Sequence, residues 1–162
     1  MAKVVRETVI SGRTSAASGT LAVATLLTLG GRALNEFKEL LIYLNVTTAL
    51  AGTTPTMDLY LQRAVVPNPV AATDAHWDDL YAFPQVITAL IERIVHLPVS
   101  AAVVVSAATA HALTRQMAGM VADSAKLGHW GDRIRIVEKM GGTVTTAAVY
   151  SIHITGILET AE

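Results

Sequence analysis

Apolar residues fall at every second position twice between Leu40 and Arg63. Ile42, Leu44 and Val46 share one side of an extended chain, and Met57, Leu59 and Leu61 repeat the spacing. Period two with β-branched residues predicts half-buried strands, here over 39–49 and 56–66. Ala51-Gly52-Thr53-Thr54-Pro55 between them has turn chemistry, so the pair reads as a β-hairpin.

The same pattern recurs near the C-terminus. Arg133 to Val137 alternates, Gly141-Gly142-Thr143 turns, and 147–157 alternates again, with Tyr150, Ile152 and Ile154 on one face. Laying GTTPT (52–56) over GTVTT (142–146) brings Leu59-Tyr60 over Val149-Tyr150; hairpin chemistry explains this short echo as well as duplication does.

Further strands are expected over 3–10, 21–29, 76–82 and 99–106. Residues 85–97 fit helix or strand, with strand preferred. A short helix competes over 21–29, because Ala and Leu favour it. Ser11 to Thr20 reads as a polar linker. Over 107–121 the pattern changes: Ala110, Leu113, Met117, Met120 and Val121 recur at helical spacing, which predicts one helix. Gly128 to Gly131 reads as a turn. The expected fold is mainly β, a sandwich or jelly-roll-like barrel with one short helix. The expected organisation is an arm and linker over 1–20 and one domain over 21–162, with an insertion around 84–126.

Composition narrows the function. The chain has 162 residues, enough for one domain with a real core. Twelve basic against thirteen acidic residues leave a net charge of −1, so no long-range pull on nucleic acid or anionic lipid is expected. Only 15% of residues are charged and 52% are hydrophobic, which favours burial of some surface between subunits. No cysteine is present, which excludes disulfides and thiolate chemistry. The N-terminus has no apolar core of signal-peptide type, and no run approaches the roughly 18 apolar residues of a membrane helix.

No catalytic pattern emerges. His76, His96, His111, His129 and His153 include no i,i+4 pair, and no HExxH occurs. Asp78 and Asp79 point to opposite faces if extended, so loop solvation is the simpler reading. Glu92 and Glu138 have no evident partner. No serine sits in a GxSxG elbow, and Gly30-Gly31 and Gly141-Gly142 lack a nucleotide-binding context. The Asn45-Val46-Thr47 sequon lies inside a strand and carries no meaning without secretion. Trp77, Tyr81 and Trp130 could form an aromatic platform for sugar or for a partner, although core packing is the commoner fate. The expectation is a non-enzyme without cofactor or metal.

The run Leu41-Ile42-Tyr43-Leu44-Asn45-Val46-Thr47, followed by Gly52-Thr53-Thr54-Pro55-Thr56-Met57-Asp58-Leu59-Tyr60-Leu61-Gln62, resembles small structural proteins of tailed bacteriophages. His76-Trp77-Asp78-Asp79-Leu80 resembles their W-x-D-L segment, and Leu127 to Arg135 resembles the strand leading to their second hairpin. The resemblance covers about 39–83 and 127–157; residues 84–126 have no counterpart. It implies a virion component made in the bacterial cytoplasm: a capsid decoration protein, or another head or tail structural protein. It also implies self-association, typically as a homotrimer, and contact with the major capsid protein. Lys3, Val5, Arg6, Arg13, Trp77, Tyr81 and Trp130 are the candidate partner contacts. A carbohydrate- or receptor-binding sandwich is the alternative, and it needs those aromatics exposed.

Overall fold

The structure is a computed structural model and describes residues 3–98, 120–126 and 129–158. Its strands are Lys3–Thr14 (β1), Gly19–Leu26 (β2), Thr28–Leu29 (β3), Arg32–Ala33 (β4), Phe37–Thr48 (β5), Ala51–Ala64 (β6), Trp77–Ala82 (β7), Glu92–Pro98 (β8), Ser124–Ala125 (β9), Ile134–Thr146 (β10) and Val149–Leu158 (β11). Two single 3-10 turns, Leu34–Glu36 and Asp74–His76, are the helical elements among the described residues. The chain is mainly β, as expected, and its antiparallel sheets pack face to face as a sandwich.

One sheet runs β1-β11-β5-β8 and the other β2-β10-β6-β7-β9. Strands holding the same place in the two sheets follow one another along the chain, three pairs through a short bend and β7–β8 through the loop over 83–91. β1 runs into β2, β5 into β6, β7 into β8 and β10 into β11. With β3, β4 and β9 set aside, this is the eight-stranded order of a jelly roll. Pairing continues almost unbroken across the bend. The β10–β6 ladder ends at Thr146↔Ala51, and the β11–β5 ladder resumes at Val149↔Thr48.

Neither expected hairpin is therefore a hairpin: β5 and β6 lie in different sheets, and so do β10 and β11. The turn-like residues serve paired bulges instead. Register shifts fall between Gly141 and Thr143 and between Val144 and Thr146, opposite Ala51–Thr56. Gly142 has φ +69°, and a Cβ there would collide with the Thr54 carbonyl. Pro55 is tolerated inside β6 because the ladder is already interrupted there. The real corners are Ala49–Leu50 and Ala147–Ala148. Ala148 and Ser15 brace one of them: Ser15 N donates to Ala148 O at 2.8 Å, and Ala148 N donates to Ser15 Oγ at 3.1 Å.

The N-terminal reading needs the same correction. Lys3–Thr14 pairs with β11 of its own chain rather than forming an arm, and Gly19–Thr20 already belong to β2. The linker expected over 11–20 shrinks to a bend at 15–18 with Ser15 buried inside it. Small residues there (Ser15-Ala16-Ala17-Ser18) allow a tight bend between sheets. The strand expected over 76–82 forms as β7, while 85–97 divides into a loop and β8. The strand over 99–106 and the helix over 107–121 lie outside the described residues, apart from Met120 and Val121, and neither of these is helical.

The core lies between the sheets. Leu40, Ile42, Leu44 and Val46 of β5 meet Met57, Leu59 and Leu61 of β6, Ile134 and Ile136 of β10, and Tyr150, Ile152 and Ile154 of β11. Burying each such side chain contributes about 1.5–3 kcal/mol. A second small cluster (Tyr60, Ala82, Met120 and Val137) forms on the far side of the five-stranded sheet, so that sheet is covered on both faces.

Candidate functional site

Cross-strand register builds a polar row on the outer face of the five-stranded sheet. Arg135 of β10 pairs with Gln62 of β6, which pairs with Asp79 of β7. Arg135 Nε donates to Gln62 Oε1 at 2.6 Å, and Gln62 Nε2 donates to Asp79 Oδ1 at 2.6 Å. Two segments roof the row. Arg135 Nη1 donates to the Ala71 carbonyl and its guanidinium lies 4.9 Å from the Trp77 ring centre. Met120 N donates to Asp79 Oδ2 at 3.2 Å. All three polar side chains are fully or almost fully buried.

Asp78 points to the opposite face, as its place beside Asp79 predicts. It is not solvated in a loop. Lys126 Nζ meets its Oδ1 at 2.5 Å and Arg63 Nη2 meets its Oδ2 at 3.3 Å. Arg63 Nη1 also donates to the His129 carbonyl at 3.0 Å. Both carboxylates are engaged in tying strands to loops, which is a structural role.

Glu138 gains the partners that its sequence context did not reveal. The Tyr150 hydroxyl donates to its Oε2 at 2.7 Å, and Ala16 N donates to its Oε1 at 2.6 Å. Arg13, an expected partner contact, lies 3.5 Å from the same carboxylate. Burial, and then the carboxylate beside it, push the Tyr150 hydroxyl well above the usual tyrosine range.

The aromatic platform is absent because its members are buried, Tyr81 and Trp130 in the core and Trp77 under the loops of the outer face. Trp77 Nε1 donates to Val70 O and Trp130 Nε1 to Leu34 O, each at 3.0 Å. Tyr81 meets Phe83 edge-on at 4.9 Å, and its hydroxyl donates to Asp123 at 2.8 Å. Burial, foremost, pushes the Tyr81 pKa up to about 12. Val5 is half-buried against the core. Of the seven expected contacts, Lys3 and Arg6 remain exposed, both on β1.

The outer face of the four-stranded sheet carries no roof among the described residues. Register sets Thr8, His153, Tyr43 and Ile94 in one row, and Arg6, Thr155, Leu41 and His96 in the next. The Tyr43 and His153 rings stack at 5.9 Å, Thr8 Oγ1 and His153 Nδ1 are 2.9 Å apart, and His96 Nε2 lies 3.0 Å from Glu39. A shallow groove of about 340 Å³ runs along Arg6, Thr8, His153 and Thr155. Ile94 stands 67% exposed at the far side.

No protein-family model, curated protein or solved structure matches this chain. Among the described residues no three His, Asp or Glu side chains gather as metal ligands, and no helix is long and apolar enough to cross a membrane. The arrangement offers a sheet face with a stacked ring pair, one exposed guanidinium and an exposed Ile.

Proposed function

We propose that this chain is a structural virion protein that binds and stabilises the capsid surface of a tailed phage as an oligomer. The observation that carries the reading is the inequality of the two sheets. One outer face is sealed by the chain's own loops, and the other carries no roof among the described residues, giving the sandwich one side on which to lie. The resemblance over 39–83 and 127–157 supplies the shell as the partner. Burial of Trp77, Tyr81 and Trp130 removes the ground for the sugar-binding alternative.

Truncation to Leu21 would remove a sheet strand, so point variants make the test. The purified chain is mixed with expanded shells of the capsid protein from the same genome and sedimented. Saturable binding is expected, lost on Arg6→Glu with Ile94→Glu, both on the open face. Absence of binding, or binding indifferent to that double variant, overturns the reading. Binding to tails or connectors rather than shells would make the chain a tail or head–tail component and overturn the capsid assignment.

A further inference from the structure

An open sheet edge exposes backbone donors and acceptors that accept another strand, and proteins blunt such edges with charges, prolines, bulges, shortness or covering loops. Among the described residues the sandwich has four edges: β1 and β8 on one sheet, β2 and β9 on the other. Three are blunted. β1 carries Lys3, Arg6, Glu7 and Arg13 and is bulged twice. The β3–β4 turn also lies on it: Gly30 packs on Val5, and Gly30 N donates to Glu7 Oε2 at 2.8 Å. β8 holds Glu92, Arg93 and His96 and ends in Pro98. β9 has two residues.

β2 is different. From Thr14 to Gly31 no residue is charged, and β2 itself reads GTLAVATL. Its one blunting feature is a bulge at Val23, where Ile136↔Ala24 gives way to Val137↔Ala22. Leu21 is 48% exposed, and Leu27, just beyond the strand, is 52% exposed. A groove of about 320 Å³ borders this edge, lined by Thr20, Leu21, Ala22, Ala71, Ala72 and Val137 together with Arg135.

We infer that β2 is a self-association edge, where β2 of a second copy adds antiparallel across a two-fold axis. The backbone requires an extended strand as occupant. The charge pattern selects the same strand of another copy: an uncharged strand laid on itself meets no like charge, whereas β1 or β8 laid on itself brings charged residues together. The exposed leucines and the bordering groove add apolar area on both sides of the axis. This contact is independent of the capsid reading and supplies a pair of copies as the unit that assembles further.

The test is mass in solution by light scattering across a concentration series, on the wild-type chain and on Leu21→Lys with Thr25→Lys. Both sites are exposed, so the monomeric variant is expected to melt cooperatively, lowered only by the lost association, and this reports that the fold survives. A wild-type mass that falls from two or an even number of copies to half or less in the variant supports the edge. A single Thr25→Lys variant, showing at least a tenfold weaker association, covers the case in which the double variant does not fold. A wild-type monomer at every concentration overturns the inference, as does an oligomer indifferent to these lysines or one that dissociates instead with Arg6→Glu on β1.

Discussion

The outer faces of the two sheets present the same kind of residues to opposite fates. On β11 and β5, His153, Thr155, Tyr43 and Asn45 point away from the core and remain partly exposed. On β10, β6 and β7, Arg135, Gln62 and Asp79 also point away from the core, yet they are sealed. The strands do not differ in pattern. The difference comes from the connections: Val65–His76 and Met120 cover one face, and no described segment folds over the other. A hydrogen bond on the open face contributes little because water replaces it, whereas a polar group stranded under the roof loses water and partner together.

Arg135→Ala breaks the comparison most severely. It leaves the Gln62 and Ala71 acceptors buried without this donor and empties the space over Trp77. A loss of about 3–5 kcal/mol is expected, read as a lower urea midpoint with unchanged slope. A loss under ~1 kcal/mol would mean that water reaches the row and that the two faces are alike. Tyr150→Phe comes next. It removes one donor from the sealed Glu138 carboxylate while keeping the ring, and about 1–3 kcal/mol is expected by the same measurement. A neutral result would mean that the Ala16 amide and Arg13 satisfy Glu138 alone.

How far the sequence reveals this contrast depends on what alternation encodes. Period two identifies inward residues, and Ile42, Leu44, Val46, Met57, Leu59, Leu61, Ile152 and Ile154 all point inward. It also places Asp78 and Asp79 on opposite faces. It is silent on whether an outward face stays wet, because that depends on loops distant in sequence, so it reads Asp79 as solvated in a loop and shows no partner for Glu138. The signal available was a charged Arg135 inside the apolar run Ile134 to Val137; nothing comparable marks Lys126. Pairing was misread for a related reason. Gly and Pro report where φ is unusual or a donor is missing, and both a turn and a bulge meet that description. The true corners use Ala49-Leu50 and Ala147-Ala148, which carry no turn signal.

His129 tests the core side of the same sheet by pH. It sits beside Trp130 at 4.7 Å, and its Nδ1 accepts the Gly131 amide at 2.7 Å. Burial first, then the Arg63 charge, lower its pKa from the usual 6.5. The folded state therefore holds fewer protons than the unfolded state just below that value. Stability is full above about pH 6.5 and falls as pH drops through it, until the folded imidazole also protonates. Urea midpoints of the wild-type chain should decline over that window, and His129→Gln should flatten the decline. An equal decline in the variant would place the sensitivity elsewhere.

The smallest effect is expected on the open face. His96 Nε2 and Glu39 Oε2 are 3.0 Å apart, with side chains 50% and 32% exposed. A double-mutant cycle with His96→Ala and Glu39→Ala should give a coupling of about 0–1 kcal/mol in the free chain, because solvent screens an exposed pair and ordering it costs side-chain entropy. The informative measurement repeats the cycle as the affinity for capsid shells. If this face lies on a shell, the pair becomes desolvated and the coupling rises above its free-chain value. An unchanged coupling in a chain that still binds would show that the face remains wet in the complex, and the contact would then have to be sought at an edge.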